Sequence, residues 1–104
     1  MKIAAALTEN HPKSVIDEHF GRCDWYGIYD TETREIHYVE NPNRYVDEGA
    51  GCSSAQMLMD YHIDIAIAGR FGAKVAEFFK KNNVQMIIPE KNKKWDSLLK
   101  LINH

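Results

Sequence analysis

The run I-D-I-A-I-A at residues 63–68 leaves the chain few ways to fold. Its isoleucines fall at alternate positions with alanine on the other side, so the run reads as a strand with apolar side chains on both faces. Such a strand must be covered on both faces. The neighbouring stretches supply the cover. Cys52 to His62 places Ala55, Leu58 and Met59 at helical spacing, and the stretch after Gly72, to about Asn82, does the same with Val75, Ala76 and Phe79. A second short run, V-Q-M-I-I-P at 84–89, is followed by Asn92 to Asn103, where Trp95, Leu98, Leu99 and Ile102 line one helical face. Asn82-Asn83 is suited to stopping the middle helix, because Asn tolerates the left-handed conformation. Strands alternating with amphipathic helices predict an α/β fold.

The first half has a different rhythm. K-I-A-A-A-L-T at 2–8 reads as a buried strand. D-W-Y-G-I-Y-D at 24–30 and I-H-Y-V-E at 36–40 flank a polar turn and predict a hairpin. The expected order is β-β-β-α-β-α-β-α, with the later strands parallel to the first because strand–helix–strand crossovers are right-handed. Two long loops remain, 9–22 and 41–51, and long loops in small domains tend to carry function. With 104 residues, 44% of them hydrophobic and 27% charged, the chain suits a single domain over 1–104 rather than a disordered segment. A formal charge of −2 gives no electrostatic reason to expect nucleic acid as a partner. No stretch approaches the ~20 apolar residues of a membrane helix, and the N-terminus lacks a signal-peptide pattern, so no membrane association is expected. The expectation is a cytoplasmic protein with Cys23 and Cys52 reduced.

In open α/β sheets ligands bind beyond the carboxyl ends of the parallel strands. Four stretches should meet there. The loop after the first strand brings His19, Gly21 and Arg22 in the stretch D-E-H-F-G-R-C, and the antiparallel second strand starts there with Cys23. The 41–51 loop brings Gly49, Gly51 and then Cys52 at a helix start, where unpaired N–H groups favour a thiolate. The fourth stretch is Gly69, Arg70 and Gly72. His19, Cys23 and Cys52 are candidate metal ligands, since imidazole and thiolate suit iron, copper or zinc. Arg22 and Arg70 offer donors to an anion. Gly21 would let the loop turn tightly, and Gly49 and Gly51 would let backbone approach a ligand or simply turn. Structural alternatives stand beside each assignment. The two cysteines fit as small buried hydrophobes, His19 as a backbone-bonding loop residue, and Arg22 as a partner of Asp17 or Glu18. Neither a dinucleotide fingerprint nor a P-loop is present.

The combination S-V-I-D-E-H-F-G-R, an aromatic strand, N-P, G-A-G with a helix, I-D-I-A-I-A-G-R-F-G and V-Q-M-I-I-P resembles the dinitrogenase iron–molybdenum cofactor biosynthesis family, of the NifX, NafY and NifB C-terminal type. The resemblance spans nearly the whole chain. It implies a ribonuclease H-like three-layer fold with a five-stranded mixed sheet in the order 3-2-1-4-5, three helices and no nuclease site. It also implies a carrier for an iron–sulfur or iron–molybdenum-type cluster, or a mixed molybdenum–copper sulfide, exchanged with donor or acceptor proteins. The family's cluster-binding histidine corresponds to His19. Cys23-Asp24 and Arg70 depart from the family pattern, which has a small apolar residue and proline at the first place and glycine at the second, so the thiols are not carried over from it. The expected function is a non-enzymatic cluster carrier. A metal-free interaction domain and a thiol–imidazole enzyme using Cys52 and His19 are the alternatives.

Overall fold

The structure is a computed structural model and describes residues 1–46 and 48–102. Five strands form one mixed sheet: β1 (Lys2–Leu7), β2 (Trp25–Asp30), β3 (Ile36–Glu40), β4 (Ile65–Ile67) and β5 (Gln85–Ile87). Their spatial order is β3-β2-β1-β4-β5. β2 is antiparallel to both β1 and β3, whereas β4 runs parallel to both β1 and β5. Three helices, α1 (Ala50–Met59), α2 (Ala73–Lys81) and α3 (Trp95–Ile102), complete the chain. The architecture and the 3-2-1-4-5 order agree with expectation.

Strand alternation splits the core in two. Ala4, Ala6, Tyr26, Ile28, Ala66 and Ala68 face α1 and α2, packing against Ala55, Leu58, Val75 and Phe79. Ile3, Ala5, Leu7, Tyr29 and Ile67 face the other way, onto Trp95, Leu98 and Leu99 of α3. The alanines of β1 keep its side chains short, which lets aromatic groups sit close above and below. None of the described helices is long and apolar enough to cross a membrane.

Element ends differ from expectation for conformational reasons. α1 starts at Ala50, two residues earlier than the spacing suggests, because Gly49 takes φ 75° as the residue before the helix. It ends at Met59, and His62, expected in the helix, adopts φ 59°. α3 starts at Trp95 rather than Asn92, whose φ of 63° is incompatible with a right-handed helix. Its expected end, Asn103, lies outside the described residues. Asn83, at φ 59°, follows α2 as a left-handed stop, as anticipated.

The 9–22 loop is pinned to the sheet. Ile16 bridges Leu7, and His19 bridges Arg70 in parallel sense. Asp17 N–H donates to the Ala6 carbonyl (2.8 Å), and Gly69 N–H donates to the Asp17 carbonyl (2.9 Å). Residues 15–19 therefore fill the gap beyond the ends of β1 and β4, where the strand order reverses.

Candidate functional site

Around H-F-G the side chains alternate in role. Phe20 is buried among Tyr26, Phe71 and Phe79, with ring centroids 5.3–5.4 Å away. Its carbonyl accepts hydrogen bonds from the Tyr26 hydroxyl and from the Cys23 thiol (3.4 Å to Sγ). With Phe20 anchored inward, His19 is held outward at the rim, its N–H bonded to Asp17 Oδ1 (2.9 Å). Gly21 presses on the start of α1. A Cβ there would lie 2.5 Å from Gly51 N and 2.6 Å from Gly51 Cα. Gly21 lies inside the expected tight turn, where Arg22 N–H donates to the His19 carbonyl (3.2 Å), but its φ is not left-handed; what requires glycine here is the close packing of backbone on backbone.

These residues form one wall of an open cleft of about 400 Å³. The cleft gathers His19, Gly21, Arg22, Gly49, Gly51, Cys52 and Arg70, seven of the eight residues singled out from sequence. Cys52 is the third residue of α1 and half-buried. Gly49 supplies the left-handed turn into α1, and a Cβ on Gly51 would meet Val75 Cγ2 at 2.6 Å. The alternative of Arg22 as a partner of Asp17 or Glu18 finds no ion pair between those described residues. Arg22 Nη1 donates to the carbonyls of Arg44 (3.3 Å) and Val46, tying residues 44–46 to the cleft wall.

The eighth residue, Cys23, lies at the same end of the sheet but points into the core. Its side chain has no solvent exposure, and burial pushes the thiol up to about 12. The strand position expected at the rim is thus correct for the backbone and not for Sγ. Among the described residues no three His, Cys, Asp or Glu side chains come together to hold a metal ion. Among the described residues, the candidate ligands that line the cleft are His19 and Cys52, too few for a closed metal site.

The charge pattern is one-sided. Arg22, Arg70 and Lys74 line the cleft together with His19, and among the described residues no carboxylate does. Neither the Arg70 guanidinium nor the Lys74 ammonium makes an ion pair with a described residue. Two helices also begin here: the first turns of α1 and α2 both border the cleft, and neither has a side-chain cap or an acidic first-turn residue. The leading N–H groups of a helix and its dipole favour an anion.

Sequence reasoning placed the start of α2 after Gly72, where it lies, but missed that its first turn brings Ala73 and Lys74 into the cleft. It also missed Asn41, which is fully buried. Asn41 Nδ2 donates to the carbonyls of Gly21 (3.1 Å) and Cys23 (2.9 Å), and its Oδ1 accepts from Ser54 Oγ (3.1 Å) and Asn43 N–H (3.0 Å). This one side chain joins the His19 loop to α1. The signal available was a polar residue at the end of a strand, which reads equally as a turn.

Comparison with known proteins places the chain. The orange protein of Desulfovibrio gigas, solved in its apo form, superposes with a TM-score of 0.90 at 20% identity, covering 97% of this chain and 85% of that one. TM1290 from Thermotoga, a candidate NifB protein of the DUF35 family, gives a TM-score of 0.82 at 23% identity over the same shares. At these identities the likeness is one of fold. The uncharacterized protein MJ0580 of Methanocaldococcus jannaschii is 29% identical over 89 residues, covering 83% of this chain and 72% of its own length. The sequence profile of the family described as "Dinitrogenase iron-molybdenum cofactor" matches residues 1–103, and the chain belongs to that family.

Proposed function

We propose that the protein carries an anionic metal–sulfur cluster, of iron–sulfur or molybdenum-containing type, in the cleft at the starts of α1 and α2. The cluster is cargo, taken from one partner in cofactor assembly and released to another. The observation that carries this reading is the cleft's charge: Arg70, Lys74 and two uncapped helix starts, with no carboxylate among the described lining residues. A volume of about 400 Å³ suits a multi-atom anion. Sulfide-rich clusters are anions that accept hydrogen bonds, so backbone N–H groups, Arg70 and Lys74 would hold one without a full set of protein ligands. His19 and Cys52 would supply reversible ligation at the mouth, where soft metals accept imidazole and thiolate. An open rim suits transfer. Cys23 stays out of this ligand set, because a neutral buried thiol would have to leave the core to reach metal.

Anaerobic titration with tetrathiomolybdate, a metal–sulfide dianion with its own visible spectrum, tests the reading alongside reconstitution with iron and sulfide. Saturable binding near one equivalent per chain is expected. His19→Ala should abolish iron–sulfide loading. The Arg70→Gln/Lys74→Gln variant should weaken tetrathiomolybdate about tenfold, as the loss of two charge-assisted contacts implies. Failure of the folded wild type to take either probe would remove the carrier reading and put a metal-free interaction domain in its place.

A further inference from the structure

Residues 15–19 do more than fill the crevice beyond β1 and β4; they divide it. On the α1 and α2 face lies the cationic cleft. On the α3 side lies a second cavity of about 510 Å³, and His19 borders both. The second cavity has the opposite character. Asp17, Glu18 and Glu90 reach its wall, against Lys91 and His19 among the described lining residues. None of the three carboxylates pairs with a cation among the described residues. Between them the wall is apolar, with Val15 and Ile16 on one side and Ile88 on the other, and Ile88 is 63% exposed. Among the described residues the Asp17 carboxylate accepts only the His19 N–H, so an exposed β-branched residue stands beside carboxylates that no described cation neutralises.

We propose that this cavity is the docking point for a protein partner that inserts an arginine or lysine side chain, its aliphatic stem on Ile88 and its charged head among Asp17, Glu18 and Glu90. The occupant follows from charge complementarity. It rests on the carrier reading above: a partner that exchanges an anionic cluster and sets cationic side chains about its own mouth would meet matching charge here. Such a mouth would be repelled by the cationic cleft alone. The acidic cavity one residue away offers it a matching surface, and sets it against His19 where the cargo is ligated. Complementary charge of this kind fixes orientation and raises the rate of encounter. An arginine stem covers apolar surface while its head stays polar.

The probe is a short peptide, Ac-Leu-Arg-Leu-NH2, with its citrulline twin as the neutral isostere. Each is titrated into the uniformly nitrogen-15-labelled full chain while amide shifts are followed by NMR. The arginine peptide should give saturable shifts clustered at Glu18, Gly69, Ile88 and Glu90, and the citrulline peptide should bind about tenfold more weakly. Glu18→Gln/Glu90→Gln should lose that preference, while tetrathiomolybdate still shifts the amides of Arg70 and Lys74. Equal binding of the two peptides, shifts scattered over the surface, or an unchanged preference in the double variant would each overturn the proposal. The two arms separate the readings. Silence towards tetrathiomolybdate with peptide selectivity intact removes the carrier function, whereas the reverse removes only the docking site.

Discussion

At the scale of single residues, the two thiols have opposite chemistry. Cys23 has its Sγ against the Phe20 carbonyl, and Tyr26, hydrogen-bonded to the same carbonyl, closes the space beside it. Desolvation is the main cause of the raised thiol pKa, and burial raises that of the Tyr26 phenol as well. Below about pH 9, the ordinary thiol value, Cys23 is protonated whether the chain is folded or unfolded, and it contributes no pH dependence. Above it the unfolded thiol loses its proton while the folded one keeps it up to about 12, so the unfolded state gains and stability falls as pH rises through that window. Between pH 8 and pH 10.5 this one group should cost about 2 kcal/mol. Urea unfolding at the two values should show wild type losing that much more than Cys23→Ala, and parallel losses would disprove the assignment. A disulfide reagent at pH 8 should meanwhile modify Cys52, half-buried at the start of α1, well before Cys23.

At the scale of elements, the cleft depends on how closely the His19 loop lies on α1. Gly21 faces Gly51 with no room for a side chain, and Asn41 bonds the loop carbonyls on one side and Ser54 of α1 on the other. Gly21→Ala must push backbone from backbone, since neither contact atom belongs to a flexible side chain. The expected cost is about 1–3 kcal/mol by the usual scale of overpacking. It should appear as a lower urea midpoint together with weaker tetrathiomolybdate binding, because the first turn of α1 is displaced. A variant of wild-type stability with unaltered binding would show that the loop tolerates separation. Much of this was open to sequence reasoning. The apolar runs and helical spacing identify every strand and helix, and topology rules then carry His19, Arg22, Cys52 and Arg70 to one end. Spacing alone does not tell which way a side chain points where a loop becomes a strand, and Cys23 sits at that junction. Nor does the placing of α2 after Gly72 tell that its uncapped first turn opens on the cleft, which hid the part of Lys74.

Over the whole molecule, the cleft's charge opposes that of the chain. The formal net charge is −2, so an approaching anion meets overall repulsion and is drawn in only by the local field of Arg22, Arg70, Lys74 and the two helix starts. Low-dielectric walls on either side concentrate such a field. These contributions respond differently to salt. Attraction to mobile side chains at an open rim is screened at a Debye length of about 10 Å in 0.1 M salt, whereas direct backbone hydrogen bonds persist. Wild-type affinity for tetrathiomolybdate should therefore fall about tenfold between low salt and about 0.5 M, and Arg70→Gln/Lys74→Gln should reduce that dependence to about twofold while keeping residual affinity from the helix starts. Isothermal titration at four salt concentrations measures both slopes. Equal slopes would mean that Arg70 and Lys74 do not hold the anion and that the backbone of α1 and α2 does so alone. Loss of all binding in the variant would mean the reverse, with the helix starts serving only to shape the cleft.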